Sequence, residues 1–168
     1  MANASLGNPP LTANSRHYKT FRTALDEITY GLSRLIVKDG EGATKVIEVV
    51  VSGASSEKDA EKVAFSIADS SLVKTAVYGN DSNWGRIMAA VGYSGTKIAE
   101  DRISIHLGRI KLVNKGIGTG KDKEANKYLR ENTEVKISVN LNIGNASAKV
   151  LTCDLTEKYV QINAEYRT

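Results

Sequence analysis

The sequence predicts an α+β fold in which mixed or antiparallel sheets form layers with packed helices. Three observations support this class. Apolar residues recur at helical spacing early in the chain, residues 44–52 are rich in β-branched side chains, and residues 134–143 alternate apolar with polar side chains. Because short turns join the late strands, as in antiparallel hairpins, the class fits better than a doubly wound parallel sheet.

The first helix is predicted over residues 17–37. Its apolar residues lie three or four positions apart, as on one face of an amphipathic helix: Tyr18, Phe21, Leu25, Ile28, Leu32 and Leu35. Ser15 fits the N-cap of this helix, and Gly40 ends it. Residues 1–16 are polar and contain two prolines, so an irregular or strand-like entry precedes the helix.

Further helices are predicted from the same spacing. The second begins at Ser55 or Ser56, with Asp59 as the acid of a capping-box-like turn. The later ones cover Asn83–Tyr93 and Asp122–Arg130. Residues 72–78 fit either a short strand or the tail of the second helix.

Strands are predicted at residues 44–52, 102–107, 109–113, 134–143 and 147–153. Gly108 joins the second to the third, and Gly144-Asn145 begins the turn of a hairpin between the last two. Residues 154–168 start as a helical turn and end extended. The glycine-rich segment 116–120 separates a region of 1–115 from a smaller β-rich region of 116–168, unless 1–168 forms one continuous domain.

Composition and charge disfavour several classes of function. The net charge of +4 comes from bases interleaved with acids, which argues against nucleic acid as a partner. No apolar run approaches the ~18 residues of a membrane span, and the N-terminus lacks a signal-peptide pattern. The single cysteine, Cys153, fits a reducing compartment, so we expect a cytoplasmic protein. His17 and His106 have no metal-ligand spacing, so no metal site is expected.

The segment Lys38–Lys45 is the most informative for function. Glu41 lies between Gly40 and Gly42 on a turn that connects a helix to a strand, where a carboxylate is displayed and a second molecule can approach closely. The alternative is a helix C-cap in which Gly40 is left-handed and Glu41 is solvated.

A second segment, Asn80-Asp-Ser-Asn-Trp-Gly-Arg86, has two interpretations. Trp84 and Arg86 are unusual residues for capping alone, which indicates a functional motif. Alternatively, Trp84 packs at the helix start and Arg86 pairs with a carboxylate.

Four motifs together resemble ornithine acetyltransferase, the bifunctional glutamate N-acetyltransferase family of arginine biosynthesis. They are Asp-Gly-Glu-Gly-Ala-Thr-Lys at 39–45, Asn-Asp-Ser-Asn-Trp-Gly-Arg at 80–86, Ala-Ala-Val-Gly-Tyr-Ser-Gly at 89–95 and Ile-Asn-Ala-Glu-Tyr-Arg-Thr at 162–168. The resemblance runs from about residue 17 to the last residue, with the motifs in the family's order. Many members have proline where Ser82 stands, a difference that affects a helix cap rather than the chemistry.

The resemblance covers only the C-terminal portion of the family's β chain. It implies a precursor of αββα type that cleaves itself before a threonine, whose hydroxyl then carries the acetyl group. The Ala-Thr-Met-Leu junction and the Ser-Thr-Asn-Asp strand of the family are absent here. The resemblance therefore implies no catalytic nucleophile in this chain, and as partners the α chain and the N-terminal part of the β chain in a hetero-oligomer.

The resemblance also implies a reaction and a set of binding residues. The complete enzyme transfers the acetyl group of N-acetylornithine to glutamate through an acetyl-threonine, without metal or cofactor, although acetyl-coenzyme A is a co-substrate of some members. Glu41, Asn163 and Thr168 match the family's substrate-binding positions. This chain alone is expected to be inactive. The alternative is a non-catalytic binding or assembly module that keeps these motifs for packing.

Overall fold

A computed structural model describes Gly7 and residues 11–165 of the chain. The chain forms two compact units, Met1–Leu35 and Ile36–Thr168. Helix α1 spans Arg16–Lys38, which confirms the helix predicted over 17–37. Its N-cap is Ser15, since Oγ of Ser15 accepts a hydrogen bond from the backbone N–H of Tyr18 at 3.1 Å. The expectation for residues 1–16 falls mostly outside the described residues.

The second unit is built on a mixed β-sheet. The strands of the described chain are β1 (Val46–Ala54), β2 (Ser104–Leu107), β3 (Ile110–Asn114), β4 (Ile117–Gly118), β5 (Glu134–Asn140) and β6 (Ala146–Cys153). They lie in the order β4-β3-β2-β5-β1-β6. Strands β1 and β5 are parallel, and the other neighbouring pairs are antiparallel. A mixed sheet combined with helices confirms the predicted α+β class.

In the described part of the second unit there are five further α-helices, and all but the last of them bury side chains in the core that they share with this sheet. They are α2 (Glu57–Asp69), α3 (Ser71–Tyr78), α4 (Trp84–Gly92), α5 (Asp122–Glu131) and α6 (Glu157–Glu165). Alternate residues of β1, including Val49 and Val51, are buried in one cluster with Val63 and Ile67 of α2. The buried side chains that recur at every second residue of β1 and at helical spacing in α2 thus form one common core.

Helix capping confirms most of the predicted helix starts. Ser56 caps α2: its Oγ accepts from the N–H of Asp59 at 3.1 Å and donates to Oδ2 of Asp59 at 2.8 Å. Residues 72–78, for which the sequence allowed either a short strand or the tail of the second helix, belong to the separate helix α3. Ser70 is the reason, because it ends α2 and its Oγ then accepts from the N–H of Val73 to begin α3.

The hairpin predicted between 134–143 and 147–153 is wrong. Strand β1 lies between β5 and β6, so these two strands do not pair with each other. The connection crosses the end of β1 instead: the N–H of Leu141 donates to the carbonyl of Ser52, and those of Ile143 and Gly144 donate to the carbonyl of Gly53. Strand β1 pairs along both of its edges, with β5 and with β6, which a local turn signal does not reveal.

The other predicted hairpin is confirmed, whereas the tail differs from its prediction. Strands β2 and β3 are antiparallel around Gly108, which confirms that turn. The prediction that residues 154–168 begin as a helical turn and then become extended is wrong for the described part of the tail, because the Thr156 cap begins a longer helix, α6, which continues to Glu165. Residues 166–168 lie outside the described residues. Strands β5 and β6, from the region after residue 116, both pair with β1, while the division into 1–115 and 116–168 stays a prediction. Within the described residues, no helix combines the length and apolarity that crossing a membrane requires.

Candidate functional site

The turn that carries Glu41 is tighter than a simple helix end. The N–H of Gly40 donates to the carbonyl of Val37 at 3.2 Å, and that of Ala43 donates to the carbonyl of Gly40 at 3.0 Å. The left-handed residue is Gly42, with φ +69°, and not Gly40 as the C-cap interpretation required. The chain therefore reverses at Gly42, which leaves the Glu41 side chain exposed.

Glu41 lies beside Asn163 of α6, although 122 positions separate them in the sequence. The side-chain amide Nδ2 of Asn163 donates to Oε2 of Glu41 at 2.9 Å and to the carbonyl of Tyr159 at 2.9 Å. Both side chains are exposed. The structure thus brings together two of the three predicted site residues, and the third, Thr168, lies outside the described residues.

A buried carboxylate holds the backbone just after the turn. Asp154 is only 3% exposed. Its Oδ1 accepts from the N–H of Thr44 at 2.8 Å and from that of Lys45 at 2.9 Å, and its Oδ2 accepts from the hydroxyl of Thr44. The N–H of Asp154 also donates to the carbonyl of Lys45 at 3.2 Å. These bonds tie the start of β1 to the end of β6.

The hydroxyl of Thr156 ties the same turn to helix α6. It donates to the carbonyl of Gly42 at 2.8 Å and accepts from the N–H of Tyr159 at 3.2 Å, as an N-cap does. The backbones meet so closely that a Cβ on Gly42 would lie 2.8 Å from the backbone nitrogen of Tyr159. Glycine is required at position 42 both for its φ and for this approach.

Lys45 anchors the segment from the interior. Its ammonium donates to the side-chain oxygen of Asn80 at 2.5 Å, to the carbonyl of Leu129 at 2.5 Å and to that of Val77 at 3.4 Å. Burial lowers the pKa of Lys45 below its ordinary 10.5, and the Asp154 carboxylate opposes that shift. The carbonyls belong to the last turns of α3 and α5, where a cation is favourable.

The Asn80–Arg86 motif joins helices in the described structure. Asn83 caps α4 by accepting from the N–H of Arg86 at 3.3 Å, and the Arg86 guanidinium donates to the carbonyl of Leu72 at 2.9 Å. The Trp84 ring lies against Gly118, where a Cβ would come within 2.8 Å of a ring carbon. These contacts favour the packing interpretation of this motif, except that Arg86 binds a backbone carbonyl and the Thr75 hydroxyl rather than the carboxylate which that interpretation predicted.

A cavity of about 230 Å³ adjoins the segment that follows Glu41. Its walls are formed by Lys38, Ala43, Thr44, Lys45, Val46, Thr133 and Glu134. Among the residues the structure describes, no group of three or more histidine, cysteine, aspartate or glutamate side chains could hold a metal ion.

The chemistry available at this site is recognition of a small polar molecule. A carboxylate such as that of Glu41 can accept hydrogen bonds from an amine, and the Asn163 side chain offers its oxygen as an acceptor, because both hydrogens of its Nδ2 are donated to Glu41 and Tyr159. The sequence interpretation missed Asp154 and Thr156. A signal for Thr156 was present, because Thr156-Glu157 at the start of a helix is a typical N-cap pattern. No local pattern pointed to Asp154, whose partners lie about 110 positions earlier.

Comparison with known proteins places the chain among relatives of one kind. The family described as the ArgJ family matches residues 1–168. The chain is 47% identical over 170 residues to the arginine biosynthesis bifunctional protein ArgJ of Geobacter sulfurreducens, covering 100% of this chain and 43% of that protein. It is 46% identical over 163 residues to the chloroplastic ArgJ of Oryza sativa subsp. indica, covering 94% of this chain and 35% of that protein.

A solved structure agrees with the fold. The crystal structure of the arginine biosynthesis bifunctional protein argJ from Bacillus halodurans superposes with a TM-score of 0.92 at 47% sequence identity. The match covers 96% of this chain and 76% of that chain. The chain spans about two fifths of the length of the curated bacterial relatives it matches, since it covers 43% of the Geobacter sulfurreducens protein and 41% of that from Halalkalibacterium halodurans.

Proposed function

Because the chain belongs to the ArgJ family, the ornithine acetyltransferase family that its four motifs predicted, we propose that it forms the C-terminal part of an acetyltransferase. The reaction moves the acetyl group of N-acetylornithine to glutamate through an acetyl-threonine intermediate. This chain contributes to the substrate pocket, and the nucleophilic threonine belongs to a segment outside it. The single observation that carries the proposal is the 2.9 Å contact between Glu41 and Asn163.

The pair of side chains suits an amino-acid substrate. A carboxylate attracts the cationic δ-amine of N-acetylornithine and the α-amine of glutamate, and a charge-assisted hydrogen bond of this kind is stronger than a neutral one. The side-chain oxygen of Asn163 accepts a hydrogen bond from an N–H at the amino-acid end of the same molecule, because both hydrogens of its Nδ2 are donated to Glu41 and to the carbonyl of Tyr159. In this proposal the hydroxyl of Thr168 also hydrogen-bonds the amino-acid end of the substrate. One pocket for both substrates fits a ping-pong exchange, in which donor and acceptor occupy it in turn.

The rest of the enzyme supplies the reacting atoms in this proposal. The threonine hydroxyl attacks the acetyl carbonyl, with the α-amine of the same threonine as base, and a pair of donors holds the oxyanion. The α chain and the N-terminal part of the β chain complete the pocket in a hetero-oligomer in the cytoplasm. The transfer needs no metal and no cofactor, and acetyl-coenzyme A is a co-substrate only if the complete enzyme is bifunctional.

The test is Glu41→Ala in the complete enzyme. Loss of a charge-assisted hydrogen bond to the substrate lowers kcat/KM for N-acetylornithine by about 10- to 100-fold. The melting temperature stays unchanged, because Glu41 is exposed. Asp39→Ala is the matched control: it removes another exposed carboxylate of the same turn and leaves kcat/KM within about twofold.

The rival interpretation is a binding or assembly module in which these motifs serve packing. It predicts that Glu41→Ala lowers activity and melting temperature together, in proportion to the unfolded fraction. An unchanged kcat/KM in a well-folded Glu41→Ala enzyme would exclude Glu41 from the substrate pocket.

A further inference from the structure

We propose that Asp154 is a positioning residue, which fixes the distance between Glu41 and Asn163 through the backbone of the Glu41 turn. The proposal deepens the function proposed above and rests on it. Asp154 lies too deep to touch a substrate, since it is only 3% exposed. Its effect must therefore reach the pocket through the atoms to which it is bonded.

The carboxylate is bonded to two consecutive residues on the Glu41 side. It accepts from the N–H groups of Thr44 and Lys45 and from the Thr44 hydroxyl. Hydrogen bonds to an ionised acceptor are roughly twice as strong as neutral ones, and they are hardest to replace by water when buried. The backbone three residues after Glu41 is therefore held at a fixed place.

The same short segment controls the Asn163 side. Two residues after Asp154, the Thr156 hydroxyl binds the carbonyl of Gly42 and caps α6. Asn163 follows Thr156 by seven residues, or two turns of a helix that rises about 1.5 Å per residue. Residues 154–156 thus hold both members of the pair, one through the turn and one through the helix.

Burial of side chains does not set this distance, although the backbones of Gly42 and Tyr159 lie in close contact. Glu41 and Asn163 are both exposed, and no side chain of α6 is buried. The bonds of Asp154 and Thr156 are the described polar contacts that link the turn to the start of α6. A displacement of about 1 Å in a substrate-binding group costs up to 100-fold in rate, so this link is functionally important.

Kinetics of Asp154→Ala in the complete enzyme test the proposal. We expect kcat/KM to fall by about 10- to 100-fold, with the same factor for N-acetylornithine and for glutamate because they share one pocket, and KM to rise. Ser82→Ala is the matched control. It removes another buried polar side chain, a hydroxyl 3.3 Å from the carbonyl of Asp122 on a residue that is 4% exposed, and we expect it to lower the melting temperature without changing KM.

A pair of Thr156 variants adds a rescue test. Thr156→Ser keeps the hydroxyl that binds Gly42 and retains KM near the native value, while Thr156→Val loses the hydroxyl and raises KM. If Asp154→Ala and Thr156→Val lower only the maximal rate, in proportion to their folded fraction, then Asp154 is merely structural and the proposal is overturned.

A spectroscopic readout separates this proposal from the proposed function. In protein labelled with ¹⁵N-asparagine, the Asn163 side-chain amide signal, identified by its loss in Asn163→Ala, shifts when Glu41→Ala removes its acceptor. Asp154→Ala should shift it toward the same position although Glu41 is intact. If the Asn163 signal shifts in Asp154→Ala but the Glu41→Ala enzyme remains active, only the proposed function is contradicted. If the Asn163 signal does not move in Asp154→Ala, the positioning role of Asp154 is contradicted.

Discussion

The ammonium of Lys45 lies 2.5 Å from the carbonyl oxygen of Leu129, the residue two before the end of α5. The same ammonium binds the side chain of Asn80, a left-handed residue with φ +56°. Lys45 therefore connects the turn that carries Glu41 to the Asn80–Arg86 motif. Two sequence motifs that looked independent are bonded to each other in the fold.

Lys45→Met should destabilise the protein by about 2–4 kcal/mol. The substitution keeps the apolar stem but leaves the acceptors on Asn80 and Leu129 without their charged donor. Urea unfolding of the chain measures the loss. Lys127→Met is the control: its ammonium forms only an exposed pair with Glu131 at 3.7 Å, and its loss costs less than about 0.5 kcal/mol. Equal losses in the two variants would contradict an anchoring role for Lys45.

Gly42→Ala should cost more stability than Gly120→Ala. Both glycines have positive φ, +69° and +73°, so each substitution carries a backbone cost of about 1–2 kcal/mol. A Cβ at 42 also meets the backbone nitrogen of Tyr159 at 2.8 Å, while a Cβ at 120 meets nothing within 4 Å. We expect the crowding to add about 1–3 kcal/mol to the cost at Gly42 alone. Thermal unfolding of the two variants measures this difference. The reverse order would mean that α6 does not lie against the turn in solution.

The stability of the protein should fall through His106 as the pH drops below the ordinary histidine pKa of 6.5. Burial first, and the nearby Lys111 ammonium second, lower the pKa of His106 below its ordinary value of 6.5. Between the folded and the unfolded pKa the unfolded chain binds more protons, so the free energy of unfolding decreases as the pH falls through that window. His106→Gln removes this dependence. Denaturant unfolding at several pH values checks the difference, and parallel curves would show that the pKa of His106 is not lowered.

The purified chain of residues 1–168 should show no acetyl transfer from N-acetylornithine. In the proposed mechanism the attacking hydroxyl and the oxyanion donors belong to the rest of the enzyme, and positioning alone does not break the amide bond. A coupled assay for ornithine release measures the activity, with a complete ArgJ relative as the positive control. Turnover by the chain alone would contradict the assignment of the nucleophile to another segment.

Much of the fold could be predicted because its signals are local. Several features depend on residues within a few positions of each other. They are the apolar stripe of α1, the Ser56 cap of α2, the turn at Gly108 and the alternation of apolar and polar residues in β5. Local signals could not show whether β5 and β6 pair with each other. Strand β1 enters between them from about 90 positions earlier, and turn residues carry no information about a third strand.

The sequence by itself determined the secondary structure of most segments, the family, and the residue types of the candidate site, since capping, periodicity and motifs act over short distances. Only the tertiary structure decided that Glu41 meets Asn163, that Gly42 rather than Gly40 is left-handed, and that Asp154 holds the turn. Each of these depends on contacts between segments more than 100 residues apart. Such contacts form only when the sheet brings the start of β1 to the end of β6.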